Sequence, residues 1–487
     1  MDSAVSAMPS MQATQATPAT QPTPATPAWP DGLLLAYYGD DFIGSTDAME
    51  AFTAAGVPTV LFLRPPTAAW LARFPELPCV GLAGQSRGRS PEWMARELPS
   101  AFASLAALNA SILHYKVCST FDSSPATGSV GRAIDIGIPL MRGTWSPMIV
   151  GAPRLCRYQL FGNLFAAADG VGHRLDRHPT MSRHPVTPMS EADLTRHLAA
   201  QTARRIELID MLQLRAGDGP ARVRELAGPD GSDVPVVSID VHDDETLAAA
   251  GQLVWQQRGE GLFSASSSGL QYALAAHWRS AGLLPAEPSL PVARAVSAIA
   301  VVSGSCSPVT AAQIAWAGDW AGEQGFMLDR LNLERPLDAR DFETEIERAV
   351  AAAASAVEAG RSPLVYSACG PDDPAVRGFD ASAARAGLTR PQAAQRVTRG
   401  LPDVMRRLLG RVPLQRIVVA GGDCAGAVAS ALDIAALSVV AGLAPGAPLC
   451  RAWSDRPQRD GLQIVLKGGQ MGAASFFGAV RAGALQS

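Results

Sequence analysis

The 487-residue chain is 47% hydrophobic and 18% charged, with a formal charge of -4 at pH 7. That apolar share supplies the cores of two or three domains and excludes a largely disordered protein outside residues 1–30. The balanced charge gives no basic field for a nucleic acid or a membrane surface, and no apolar run reaches the roughly eighteen residues of a spanning helix.

Residues 1–30 repeat Ala, Thr, Gln and Pro. They lack the basic start and apolar stretch of a signal peptide, and their composition predicts a disordered tail. From Leu33 the pattern changes. The apolar run 33–38, the polar loop 39–47, an amphipathic helix ended by Gly56 and a β-branched run over 57–63 make one β-α-β unit. Further strands are predicted at 78–84, 112–117, 148–152, 234–240 and 261–266, with helices over 91–108 and from about residue 128 onward. Three prolines within 281–294 mark a stiff linker. A second series follows, with strands at 297–304, 325–331, 362–368, 414–422 and 462–469 and a helix over 424–437. Apolar strands alternating with helices predict an α/β fold. The expected architecture is two α/β domains with mainly parallel sheets, residues 31–281 and 297–487 about a linker at 282–296, with the ligand cleft between them.

The cysteines Cys79, Cys118, Cys156, Cys306, Cys369, Cys424 and Cys450 stand singly, without a CxxC pair or zinc spacing. They read as a reduced, cytoplasmic set of small turn fillers. Only two of the 41 basic residues are lysines, Lys116 and Lys467. In a chain that otherwise uses Arg, a surviving Lys marks a place that needs a compact, rotatable ammonium.

Ligands of open parallel sheets sit off the carboxyl ends of the strands. The front loops there are charged: Asp40 and Asp41 in GDDFIGSTD, then Arg87, then Lys116 with the hydroxyls of Ser119 and Thr120. That mix suits a small polyhydroxy acid, with cations on its carboxylate and Asp accepting from its hydroxyls. The rear loops are almost uncharged: Ser305 and Ser307, the stretch 366–370, Gly421, Gly422, Asp423 and Cys424, and Lys467, Gly468 and Gly469. Glycine turns that open onto helices present backbone N–H groups to phosphates.

Two readings stay open at the aspartate pair. Asp40 or Asp41 takes the proton of a substrate hydroxyl, or the pair caps the following helix, a task Ser45 or Thr46 would also serve. Asp423 is likewise a ligand or a cap. The segment 173–188 holds three histidines without acidic partners at metal spacing. It either brings Arg177, Arg183 and His184 to an anionic substrate or is a structural crossover. A charged pocket facing a phosphate cradle predicts phosphoryl transfer from ATP, with Mg2+ expected on the phosphates and its ligands unknown. A nicotinamide dehydrogenase would need GxGxxG opening a β-α-β unit, which neither GDDFIGS nor GSCSPV supplies. A sensor that binds the same acid and nucleotide without turnover is the alternative.

The blocks DDFIGSTDAMEAF, SR at 86–87, KVCST, SGSCSPVTAAQI, GGDCAGAV and LKGGQMG follow one another in this order. Together, over residues 33–487, they resemble the four-carbon acid sugar kinase family. The resemblance implies ATP-dependent phosphorylation of small sugar acids such as threonate, erythronate or 3-oxo-tetronates. It implies an acid site at Asp40, Asp41, Arg87, Lys116 and Ser119 and a nucleotide site at Ser305, the 421–424 turn and Gly469. The 116–129 and 178–189 stretches are similar to a branch that acts on a branched acid, 3-oxo-isoapionate. Where the family reads DDFTGA and GGDTSG, this chain has Ile43 and Ser45, and Cys424 and Ala425. Two hydroxyls thereby leave the phosphate turn. The oligomeric state is left open, a homo-oligomer included.

Overall fold

A computed structural model describes residues 32–168, 170–227, 233–286, 290–320, 325–332 and 339–483. The tail predicted over 1–30 lies outside the described residues.

Twelve strands form one sheet. They are β1 (Leu35–Gly39), β2 (Thr59–Phe62), β3 (Cys79–Ala83), β4 (Ile112–Lys116), β5 (Leu262–Ser266), β6 (Ala300–Ser303), β7 (Phe326–Arg330), β8 (Ser362–Tyr366), β9 (Arg416–Ala420), β10 (Ile434–Ala441), β11 (Leu449–Ser454) and β12 (Gln463–Lys467). Their order is β5-β4-β1-β3-β2-β10-β11-β12-β9-β6-β8-β7. The first five are mutually parallel, and so are the last five. Between these blocks β10 and β11 form an antiparallel hairpin that pairs with β2 on one side and β12 on the other. Three antiparallel steps make the two blocks run in opposite senses.

A flat sheet would therefore hold the two sets of carboxyl-end loops at opposite edges. Strands twist by about 20–25° per step, so the five steps from β1 to β12 accumulate roughly 100–125°. That rotation swings the two sets of loops toward each other.

The α/β class and most main-sheet strands follow the sequence pattern, with three differences. The helix predicted over 424–437 stops at Ala431, and Ile434–Ala441 is a strand. Asp433 takes a left-handed φ of 54° at the break. The short Ala-rich run fits either period, and pairing with β2 decides for strand. Second, the strands predicted near 148–152 and 234–240 leave the main sheet. Ser146–Met148, Val236–Ile239 and Ile206–Ile209 form a small parallel sheet of their own. Serine hydroxyls stitch it to the β5 edge: Ser146 Oγ donates to Phe263 O (2.8 Å), Ser264 Oγ to Pro147 O (2.8 Å), and Ser266 Oγ accepts from Ile149 N (2.8 Å). Third, an antiparallel meander fills Arg157–Leu160, Asn163–Ala168 and Val171–Arg174. Buried Asp240 pins its first turn by accepting from Phe161 N (2.5 Å) and Gly162 N (3.0 Å).

The seam between the blocks is held by aromatic packing as well as by the ladder. Phe62 of β2 meets Phe74 edge-on at 5.8 Å, and Phe74 meets Trp453 of β11 at 4.8 Å. Arg73 lies over Trp70 at 4.2 Å and Trp453 at 5.4 Å, and pairs with Asp460 at 3.4 Å. Phe62→Ala is expected to remove about 3–5 kcal/mol of stability, read as a lower urea midpoint. A midpoint unchanged from the parent would contradict this role for the seam.

Candidate active site

Helix α1 (Phe42–Ala55) starts directly after β1, and the turn between them carries the aspartate pair. Backbone bonds fix that turn. Asp40 N donates to Lys116 O (2.9 Å) and Arg87 N donates to Asp40 O (2.9 Å), so three strand ends are tied together. Asp41 is the N-cap of α1, its Oδ1 accepting from Gly44 N at 2.6 Å. The capping reading therefore holds for Asp41, and neither Ser45 nor Thr46 takes that place. Ser45 Oγ instead donates to Asp41 O (2.6 Å), and Thr46 Oγ1 to Ile43 O (2.8 Å).

Capping is not all that Asp41 does. Arg87 forks onto both carboxylates: Nε and Nη2 reach Asp40 at 3.0 and 2.8 Å, and Nη1 and Nη2 reach Asp41 at 2.9 Å each. Burial raises the Asp40 pKa above the usual carboxylate range, with the Arg87 charge working against that rise. Burial opposes the Arg87 charge too, yet Asp40 and Asp41 hold its proton more firmly than usual. Four of the five guanidinium N–H groups are thus engaged by carboxylates. Lys116 is buried and pairs with Asp47 at 3.2 Å. Burial disfavours its ammonium, but Asp47, Asp41 and Asp40 together raise its pKa. A Cβ on Gly44 would press on Asp41 Oδ1 and stand 2.8 Å from Lys116 Nζ, so only glycine leaves this pocket its shape.

The rear loops converge in the same manner. A Cβ on Gly469 would lie 2.7 Å from Ser305 Oγ and 2.9 Å from Ser307 Cβ, and one on Gly421 would lie 3.3 Å from Ser305 N. Gly421 N donates to Lys467 O at 2.9 Å, which locks the loops after β9 and β12 together. Gly421 has φ +116° and is the N-cap of the helix Gly422–Ala431, where it supplies no side chain to cap the first N–H groups. Asp423 lies within that helix's first turn and is not its cap; its side chain is outside the described residues. Cys424 is buried where a Cβ on Gly304 would collide with its sulfur.

Lys467 is fully buried. Its Nζ donates to Thr310 Oγ1 (3.2 Å), and no carboxylate pairs with it among the described residues. Burial lowers its pKa to about 8. Thr310 Oγ1 in turn donates to Gly469 O (2.9 Å), while Gln313 Nε2 donates to the carbonyls of Met471, Gly472 and Ala473. The helix Pro308–Asp319 thus clamps the 467–473 loop.

The two clusters meet at the start of α1. Ile43 lies 3.9 Å from where a Cβ on Gly422 would stand and 3.8 Å from one on Gly468, and Phe42 lies 3.3 Å from one on Gly426. The helix capped by Asp41 therefore abuts both glycine turns.

Other sequence candidates fall differently. Thr120 is buried beside the charged cluster, its hydroxyl donating to Asp122 Oδ1 at 2.5 Å, and Ser119 lies in the same turn. Arg183 sits in the short turn Met181–Arg183. His178 Nδ1 accepts from Thr180 N and Met181 N, and His184 Nδ1 from Thr187 N, so these rings brace turns. Sequence reasoning passed over Asp47, Thr310 and Gln313. Asp47 stands one helical turn after Ile43, and that spacing was the available signal.

An α/β protein that sets a charged pocket against glycine-lined turns is, by class, a phosphotransferase for small acids. Comparison with known proteins places it more closely. A model described as a sugar-binding N-terminal domain matches residues 35–274, and one described as a nucleotide-binding C-terminal domain matches residues 300–477. The chain is 70% identical to the 3-oxo-isoapionate kinase of Paraburkholderia graminis, over 94% of this chain and 96% of that one. It is 30% identical to the 3-oxo-tetronate kinase of Burkholderia multivorans, over 91% and 96%. A solved structure from Salmonella typhimurium LT2 shares the fold at a TM-score of 0.74 and 23% identity, covering 92% of this chain and 98% of that one. The chain belongs to the four-carbon acid sugar kinase family.

Gly44→Ala is expected to lower turnover at least about tenfold by displacing Asp41 and Lys116, with little change in the thermal midpoint. Turnover equal to the parent's would show that the pocket tolerates a side chain there.

Proposed function

We propose that this protein transfers the γ-phosphoryl group of ATP to a hydroxyl of a small oxidised sugar acid, with 3-oxo-isoapionate as the favoured acceptor. The observation that carries the proposal is the closeness of Ile43, two residues after Asp41, to both Gly422 and Gly468, 3.9 and 3.8 Å from where their Cβ atoms would stand. It puts a hydroxyl-binding charged pocket within reach of a polyphosphate. The acceptor follows from the 70% identity to a 3-oxo-isoapionate kinase, against about 30% to 3-oxo-tetronate kinases. The front domain, near residues 31–281, would hold the acid and the rear one, near 297–487, the nucleotide, in a cytoplasmic enzyme.

In this scheme Lys116 holds the carboxylate of the acid as a buried point charge. Arg87, already forked onto two carboxylates, positions Asp40 and Asp41. Asp41 is the more open of the pair and takes the proton as the substrate oxygen attacks the γ-phosphorus; the bond to ADP breaks and ADP leaves. Ser119, Thr120 and Arg183 are assigned to the acid side. On the other side the helix start at Gly421, Gly422, Asp423 and Cys424, the bare turn Gly468–Gly469, the hydroxyls of Ser305 and Ser307 and the ammonium of Lys467 suit a triphosphate. Mg2+ would arrive with the triphosphate. The described residues contain no group of three metal-ligating side chains, and no step here is routed through the metal.

An ADP-release assay over four- and five-carbon 3-oxo and aldonic acids tests the proposal. The expected result is turnover with the highest kcat/KM on 3-oxo-isoapionate; ADP and acid binding without product would make the protein a sensor instead. Asp41→Asn is expected to lower kcat by about 100-fold or more while leaving ADP affinity unchanged.

Lys467 adds a pH dependence with a definite sign. Its pKa near 8 means that the charged form dominates below that pH, and bound phosphates favour this form. Nucleotide affinity is therefore expected to fall as pH rises above about 8, by up to about tenfold per pH unit. Calorimetry with ADP reads the slope. Lys467→Met should be weaker and flat, and an unaltered slope in that variant would remove Lys467 from the phosphate site.

A further inference from the structure

One partly buried carboxyl group ties the two halves together behind the transfer site. Glu50 lies on α1 about two turns beyond Ile43, and its Oε2 accepts from Gly446 N at 2.7 Å. Gly446 belongs to the turn between β10 and β11 and has φ +76°, a conformation that suits glycine. A Cβ there would stand 3.0 Å from Met471 Cε. Met471 in turn lies 3.6 Å from the Cβ position of Gly468, and its carbonyl is held by Gln313. A continuous line of contacts thus runs from the helix that carries Asp41, through Glu50, Gly446 and Met471, to the phosphate-type turn.

Ile43 and Glu50 share one face of α1, seven residues apart. The first touches the glycine turns directly and the second holds the hairpin loop that backs them. We propose that Glu50 is a positioning residue, which fixes the register of the nucleotide loops against the acid pocket through its bond to Gly446. This rests on the kinase reading above and names what aligns its two half-sites. Phosphoryl transfer depends on such alignment, because a misplacement of about 1 Å far from the chemistry can cost roughly 100-fold in rate.

The groups around Glu50 explain what the contact requires. Asp47 approaches from the same helix, Tyr272 from the helix Gly269–Ser280, Arg154 from the turn Pro153–Leu155 and Cys450 from β11. Burial, then the charge of Asp47, raises the Glu50 pKa to about 8. Near neutral pH the group is therefore chiefly a neutral acceptor, and an amide reproduces it in size and hydrogen bonding.

Three variants test the proposal, with kcat from ADP release and the affinities for ADP and for the acid each measured separately by calorimetry. Glu50→Ala is expected to lower kcat by roughly tenfold to 100-fold while each affinity stays within about twofold. Glu50→Asp, which withdraws the carboxyl by one methylene, should show the same loss. Glu50→Gln should keep kcat within about threefold of the parent. Parent-like kcat in Glu50→Ala, or an ADP affinity that falls in step with kcat, would overturn the proposal. So would a Glu50→Gln variant as slow as Glu50→Ala. A parent protein that phosphorylates no sugar acid would overturn the kinase reading and this proposal together, whereas normal parent turnover beside an unaffected Glu50→Ala variant would overturn this proposal alone.

Discussion

The structure depends on how closely the start of α1 approaches the rear loops. A Cβ on Gly426 would stand 3.3 Å from Phe42, closer than ordinary contact, while Ile43 lies within van der Waals range of the Cβ positions of Gly422 and Gly468, so the halves meet closely here. The sheet makes that contact geometrically available. Its antiparallel seam reverses the second parallel block, and accumulated twist then turns the loops of that block back toward the first. Without the reversal and the twist, the aspartate turn and the glycine turns would occupy separate edges of one long sheet.

Charge is divided between the two sides in a way that suits their ligands. The front pocket holds buried cations, each already balanced by carboxylates: Arg87 by Asp40 and Asp41, Lys116 by Asp47. Such a network keeps its geometry in the absence of substrate, because each buried charge has a fixed partner. The rear pocket holds Lys467 against the Thr310 hydroxyl and the Phe476 ring, with no carboxylate partner among the described residues. Burial lowers its pKa, and a phosphate bound beside it, as proposed, would favour the charged form. One side is therefore preformed, and the other is completed by its ligand.

Much of this was legible in the residues. The turn after β1 and the loops after β4, β6, β9 and β12 could be found because an apolar run followed by Gly, Asp or Lys is a local signal. The surplus of lysine-to-arginine replacement singled out Lys116 and Lys467 for the same reason. What escaped were features set by distant partners. The Ala-rich stretch 434–441 becomes a strand only because β2 and β11 flank it. Arg87 looked like a free cation for a substrate carboxylate, and only the fold shows its fork closed on two aspartates. The serines at 264 and 266 fall in a predicted strand, and only the fold shows that they join two sheets. Asp47 closes the stretch read as the polar loop 39–47, and Glu50 reads as the polar face of the amphipathic helix after it, which is how any solvated face would read.

The most direct measurement is a crystal structure with a non-hydrolysable ATP analogue and the sugar acid bound together. The triphosphate should lie along Gly421, Gly422, Gly468 and Gly469 with Lys467 beside it, and the acid between Lys116 and Asp41 with a hydroxyl aimed at the terminal phosphate. A nucleotide seated against Asp40 and Arg87, with the glycine turns empty, would contradict this assignment of the two halves.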